Sequence, residues 1–154
     1  MILAGDIGGT KTAVALFSPE SGPHMPLVEQ SFPSTKYPSL EAILHEFLAA
    51  HPGQLQVACF GVAGPVVEGR AEITNLPWVI DTATIAADLG IPTVYLINDL
   101  KAVAQAVPYL DADDLETLNA GDPVAGALNP SSPCPVCAAT LGVSRLSTRS
   151  RKKA

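Results

Sequence analysis

The alternation of apolar and polar positions divides the chain into strand-like and helix-like stretches. Ile2 to Ile7 is an apolar run that breaks at Gly8-Gly9-Thr10, and Thr12, Val14, Leu16 and Phe17 resume it as far as Ser18-Pro19. Two strands joined by a tight glycine turn predict a hairpin. A weaker third strand spans Leu27 to Phe32, and Pro38-Ser39 then opens a helix whose Leu40, Ile43, Leu44, Phe47 and Leu48 recur on one face. Gln54 to Val62 is apolar enough for a central strand and ends at Gly64-Pro65. A short pair, Val66-Val67 with Ala71-Glu72-Ile73, and a turn carrying Asn75 and Pro77 follow. Asp81 or Thr82 can cap a short helix that reaches Leu89 and closes at Gly90. Thr93 to Ile97 has the character of a buried strand, and Leu100, Val103, Ala104 and Val107 repeat at helical spacing up to Pro108. The predicted order, βββαβ, a short β pair, then αβα, belongs to an α/β fold with a mixed sheet.

From Asn129 the periodicity is lost, and Pro130, Pro133 and Pro135, Ser and Thr, and a basic end replace it. All 15 acidic residues lie at or before Asp122, whereas five of the nine basic ones (Arg145, Arg149, Arg151, Lys152, Lys153) come after it. Residues 1–128 are therefore expected to form one domain, with four basic residues against those 15 acidic ones and a net charge of −11. Residues 129–154 are expected to be an irregular basic tail. Such a reversal is what a linker shows, and also what coding DNA read in the wrong frame gives.

With 154 residues, 47% hydrophobic and 16% charged, the chain can bury a real core. A net charge of −6 leaves no basic surface for a phosphate backbone, so nucleic acid is not expected as a partner of the folded part. No stretch approaches the roughly 20 apolar residues that span a bilayer, and the N-terminal residues lack the pattern of a signal peptide, so no membrane association is expected. Three cysteines make no disulfide framework, which points to a cytoplasmic location with Cys59 in the core.

Two constellations carry chemistry. Gly5-Asp6-Ile7-Gly8-Gly9-Thr10-Lys11 sets a carboxylate at the end of a buried strand beside two glycines. Glycines let backbone N–H groups approach phosphate oxygens, Thr10 adds a hydroxyl, and Asp6 can hold a hydrated Mg²⁺ through water. The same residues also serve a glycine hairpin that merely turns. Asn98-Asp99 follows a buried strand, where α/β sheets place ligand loops; Asp99 there can accept a proton from a sugar hydroxyl while Asn98 orients it. On pattern alone Asp99 reads more readily as the N-cap of the next helix, and the two roles are compatible.

The remaining polar features point to no site. Cys134-Pro-Val-Cys137 has CxxC spacing without a second ligand pair, and Asp111, Asp113, Asp114 and Glu116 lack the pattern of a calcium loop. His24, His45 and His51 read as surface residues, and Trp78 as packed beneath a loop.

Taken in order and spacing, Gly5 to Lys11, Phe60-Gly-Val-Ala-Gly-Pro65, Ile73-Thr-Asn-Leu-Pro-Trp78 and Leu96-Ile-Asn-Asp-Leu100 resemble the N-terminal domain of bacterial glucokinase, in the actin-like sugar kinase superfamily. The resemblance implies a mixed-sheet, ribonuclease H-like α/β domain, the first half of a two-domain kinase. It also implies ATP-dependent phosphorylation of the 6-hydroxyl of glucose, giving glucose 6-phosphate at the start of glycolysis. Asp99 matches the catalytic base and Asn98 the sugar-binding asparagine, while Asn75 and Gly64-Pro65 match positions lining the sugar pocket. Gly5, Asp6, Ile7, Gly8, Gly9, Thr10 and Lys11 match the first phosphate motif, where Mg²⁺ and ATP are held for in-line transfer.

The resemblance covers residues 2 to 128 and stops where the family should supply a further strand and a second glycine-rich loop. With Asn75, Asn98 and Asp99 contributing about 1 kcal/mol each, a total near 3 kcal/mol falls short of the roughly 4 kcal/mol of millimolar affinity. The 154-residue chain alone is thus expected to be an inactive fragment, and a homodimer stays open for the full-length enzyme. The alternative is a non-catalytic, pseudokinase-like binding module.

Overall fold

The computed structural model describes residues 1–22 and 24–110. In chain order its elements are β1 (Ile2–Ile7), β2 (Lys11–Phe17), β3 (Pro26–Pro33), a 3-10 turn (Ser34–Lys36), α1 (Leu40–Ala50), β4 (Val57–Val62), β5 (Arg70–Glu72), β6 (Val79–Asp81), α2 (Thr82–Leu89), β7 (Val94–Asn98), α3 (Asp99–Ala106) and a 3-10 turn (Val107–Tyr109). The caps account for several of these bounds. Ser39 accepts from the Ala42 N–H at the start of α1, Asp81 accepts from the N–H groups of Ala83 and Thr84 at the start of α2, and Gly90 closes α2 at φ 63°.

The main sheet has five strands in the order β3-β2-β1-β4-β7. β1 and β2 form the expected antiparallel hairpin, β3 continues it antiparallel, and β4 and β7 join the other side parallel to β1. The mixed α/β fold implied by the resemblance is the one the chain adopts.

Because strand residues alternate between faces, the sheet has two different sides. On one side Leu3, Ile7, Val14, Phe60 and Val62 pack with Leu40, Ile43, Leu44 and Phe47 of α1 and Ile85 of α2 in one large cluster. Full burial of side chains of this size is worth about 1.5–3 kcal/mol each. On the other side the buried residues are mostly small: Ala4, Ala13 and Ala15 with Phe17 in one cluster, and Cys59 and Ile97 with Ala102 of α3 in another.

Two readings of the pattern are corrected. β5 pairs antiparallel with β6, and the Val66-Val67 stretch contributes only a single bridge, Val67 to Arg70, closed by a tight turn with Glu68 at φ 50° and Gly69 at φ 76°. In α3 the helical spacing is present but does not mark the buried face. Ala102 and Ala106 are buried, whereas Leu100, Val103 and Val107 are 75%, 47% and 42% exposed. The helix lies on the alanine-lined side of the sheet, where only small side chains permit close approach. Among the described residues no helix is long and apolar enough to cross a membrane.

Candidate active site

The three parallel strands end together. Ile7 of β1 is paired with Val62 of β4, and Val62 with Asn98 of β7, so the loops that follow all leave one edge of the sheet. These loops are the Gly8-Gly9-Thr10 turn, the Ala63-Gly64-Pro65 loop and the Asn98-Asp99 junction into α3. Carboxyl ends of parallel strands are where α/β sheets bind ligands, because the loops there splay apart while the strands hold their roots in register. The residues singled out from the sequence are thus gathered at one edge by topology.

In the glycine turn, Gly8 N–H donates to Lys11 C=O at 3.0 Å. Neither Gly8 nor Gly9 has positive φ; what both positions require is space. A Cβ on Gly8 would lie 2.9 Å from Lys11 C=O, and one on Gly9 2.9 Å from Thr74 C=O. The second contact sets the phosphate-like turn directly against the loop that carries Asn75. Asp6 is half-buried at the end of β1, on the same side of the sheet as Ala13, to which it is paired.

Beneath this turn lie two polar residues to which the sequence reading gave no role. Among the described residues Thr12 and Ser34 are the buried polar side chains, both 0% exposed, with their hydroxyls 2.9 Å apart. Ser34 Oγ donates to Gly8 C=O at 2.8 Å, and Ser34 N–H donates to Thr10 C=O at 3.0 Å. One signal was available: Thr12 holds a buried position among apolar residues of β2, and a hydroxyl there demands a partner. Nothing local points to Ser34 as that partner.

At the β7 end the N-cap of α3 is Asn98, not Asp99. Asn98 Oδ1 accepts from Leu100 N–H at 3.0 Å and Lys101 N–H at 3.4 Å, while its Nδ2 donates to Gly64 C=O at 2.9 Å. Asn98 therefore ties two of the three loops together and retains one amide hydrogen. Asp99 occupies the first helical position, half-buried, with Oδ1 accepting from Leu100 N–H at 2.9 Å. The cap leaves Asp99 an oxygen that takes no part in holding the helix.

Asn75 is exposed and sits at φ 69°, a conformation that asparagine tolerates better than most residues. Its loop is closed by Leu76 N–H to Ile73 C=O at 3.2 Å and Ile73 N–H to Trp78 C=O at 3.1 Å. Trp78 is buried beneath it, as expected, and its indole N–H donates to Tyr37 C=O at 3.2 Å. A cavity of about 410 Å³ lies beside Pro65, Val67, Arg70 and Val79; Asn75, Asn98 and Asp99 do not line it.

Burial raises the Glu29 carboxyl above its ordinary range, and the charge of Lys11 pulls the other way. No group of three or more potential metal ligands occurs among the described residues. His45 is exposed and pairs with Asp88 at 2.7 Å, joining α1 to α2, and Cys59 is buried in the core. Asp111, Asp113, Asp114, Glu116, Cys134, Cys137 and the tail from 129 lie outside the described residues.

Comparison with known proteins agrees with this fold. The family model for glucokinase matches residues 3–154, continuing past the point where the recognisable motifs end. The glucokinase of Nostoc punctiforme is 39% identical over 146 residues, covering 93% of this chain and 41% of that protein. The chain thus spans about two fifths of that relative's length. The structure of a glucokinase from an Antarctic psychrotroph is 30% identical with a TM-score of 0.68, over 80% of this chain and 40% of that one. A ROK family glucokinase from Streptomyces griseus, solved with glucose and AMPPNP, has the same fold at a TM-score of 0.51 and 23% identity, over 68% of this chain and 35% of that one.

Proposed function

The chain belongs to the glucokinase family, and from that premise we propose that it supplies the first phosphate turn, the base and one wall of the sugar site of a cytoplasmic, ATP-dependent glucokinase. The observation that carries this is the register of β1, β4 and β7, which sets the Gly8-Gly9-Thr10 turn, Gly64-Pro65 and Asn98-Asp99 on one edge.

In this reading Asp99 accepts the proton of the glucose 6-hydroxyl as its oxygen bonds to the γ-phosphorus and the bond to the bridging oxygen of ADP breaks. Asn98 offers its remaining N–H to the sugar and holds Gly64 in place, and Asn75 faces the sugar from the neighbouring loop. The turn from Gly5 to Lys11 takes the phosphates of ATP through its backbone N–H groups, and the absence of Cβ atoms at Gly8 and Gly9 lets the turn fold tightly against Lys11 C=O and Thr74 C=O. Mg²⁺, when bound with ATP, would neutralise phosphate charge, and the Asp6 carboxylate suits an ion that keeps most of its water. Residues 1–128 carry this domain and 129–154 a separate segment. Glucose and ATP, not nucleic acid or a membrane, are the ligands in this reading.

The test measures glucose 6-phosphate formation by the chain alone and by the chain joined to the rest of the Nostoc punctiforme enzyme. The chain alone is expected to show no turnover. The joined protein is expected to be active, and Asp99→Asn in it to lower kcat by about 10²–10⁴-fold with glucose affinity little changed. Full activity of the Asp99→Asn protein would remove Asp99 from the role of base.

A further inference from the structure

The mechanism above uses the outer side of the glycine turn. Its inner side is occupied by a chain of hydroxyls. Ser34 has one hydroxyl hydrogen, and the 2.8 Å contact to Gly8 C=O uses it. The Thr12 hydroxyl, 2.9 Å from Ser34 Oγ, must then be the donor of that pair. The result is a directed relay, Thr12 O–H to Ser34 Oγ and Ser34 O–H to Gly8 C=O, in a site where both side chains are fully buried. Bonds in such a relay polarise one another, and low local dielectric makes breaking one expensive.

The consequence for the turn follows from peptide geometry. In a planar trans peptide the C=O of one residue and the N–H of the next point in opposite directions. Drawing Gly8 C=O inward therefore turns Gly9 N–H outward, and among the described residues Gly9 N–H has no acceptor. Ser34 N–H pins Thr10 C=O in the same inward sense, so both flanks of Gly9 are held.

Ser34 is itself well anchored. It opens the 3-10 turn between Phe32 and Tyr37, whose rings meet edge to face at 5.7 Å, and Phe32 packs in turn on Phe47 at 6.4 Å. The far end of the same turn, Tyr37 C=O, accepts the Trp78 indole N–H beneath the Asn75 loop. One short segment thus touches both the glycine turn and the loop beside it.

We infer that Ser34 is a positioning residue for phosphate binding: it fixes the Gly8-Gly9 peptide so that the Gly9 N–H is presented to a phosphate oxygen before the ligand arrives. The inference rests on the phosphate reading of the turn, and it assigns Ser34 no contact with substrate.

The test uses the ¹⁵N-labelled 154-residue chain titrated with Mg-ADP into the millimolar range, followed at the Gly9 amide. Thr12→Val is the internal control, because it removes a buried hydroxyl from the same relay but leaves the Ser34 to Gly8 bond. Ser34→Ala and Thr12→Val are expected to lose similar thermal stability. Ser34→Ala is expected to raise the Mg-ADP dissociation constant by about fivefold or more, and Thr12→Val by less than about twofold. Should Ser34→Ala fail to fold, Ser34→Cys keeps the shape with a weak donor and is expected to weaken binding in the same direction. A folded Ser34→Ala or Ser34→Cys protein with wild-type affinity, or equal loss of affinity in Thr12→Val, would overturn the positioning role alone. No shift of the Gly9 amide in the wild-type chain would overturn the phosphate reading, and the role of Ser34 with it.

Discussion

Helices α1 and α3 have similar apolar spacing and opposite fates. In α1, Leu40, Ile43, Leu44 and Phe47 point into the large core and are 0–1% exposed. In α3 and the 3-10 turn that follows it, the residues at the same kind of spacing, Leu100, Val103 and Val107, are exposed, and Ala102 is the residue that packs on Cys59 and Ile97 of the sheet, with Ala106 buried as well. The difference lies in the surface each helix meets. α1 covers the side of the sheet built from leucine, isoleucine, valine and phenylalanine, where large side chains fill the space between layers. α3 lies on the side whose buried residues are mostly small and packs there through Ala102 on Cys59 and Ile97, where a large residue in place of Ala102 would hold the helix off. An apolar stripe therefore states that a helix has a face to cover, while the partner decides which face is covered first.

This contrast can be attacked from its strong end. Phe47→Ala removes a fully buried ring from the α1 contact and is expected to destabilise the fold by about 3–5 kcal/mol in denaturant unfolding. A loss under about 1 kcal/mol would mean that α1 is not the main cover of that side. Ala102→Leu probes the tight contact of α3 by overfilling it, with an expected loss of about 1–3 kcal/mol. If the variant were as stable as the parent, the close approach of α3 to Cys59 and Ile97 would be refuted. Leu100→Ser is the mildest, within about 0.5 kcal/mol of wild type, because the side chain is 75% exposed. A large loss at Leu100 would show that the outer stripe is covered in solution.

Much of the architecture was legible because it depends on local signals. Gly8-Gly9 between two apolar runs gave the hairpin, Ser39 and Asp81 gave helix starts, Gly90 gave a helix end, and Trp78 was placed beneath its loop. The errors arose where local pattern leaves the choice of partner open. β5 found β6 in place of Val66-Val67, a choice between two nearby stretches that short strands with little alternation do not decide. The cap of α3 went to Asn98 because its two-ended amide can serve the helix and Gly64 at once, whereas a carboxylate can only accept. Ser34 escaped notice because a serine after proline reads as a surface turn, and only the fold brings it under Gly8, 26 positions away. The candidate site residues were proposed from four motifs in order, and the strand register brings three of those motifs to one edge of the sheet.

Trp78 is the one tryptophan in the chain, buried and bonded through its indole to Tyr37. The molecule thus carries a single built-in indole reporter, seated under the Asn75 loop and tied to the same short segment that holds the glycine turn. Its emission colour follows the wetness and polarity around that one ring, so light excited beyond the absorption of tyrosine speaks for a single place in the fold.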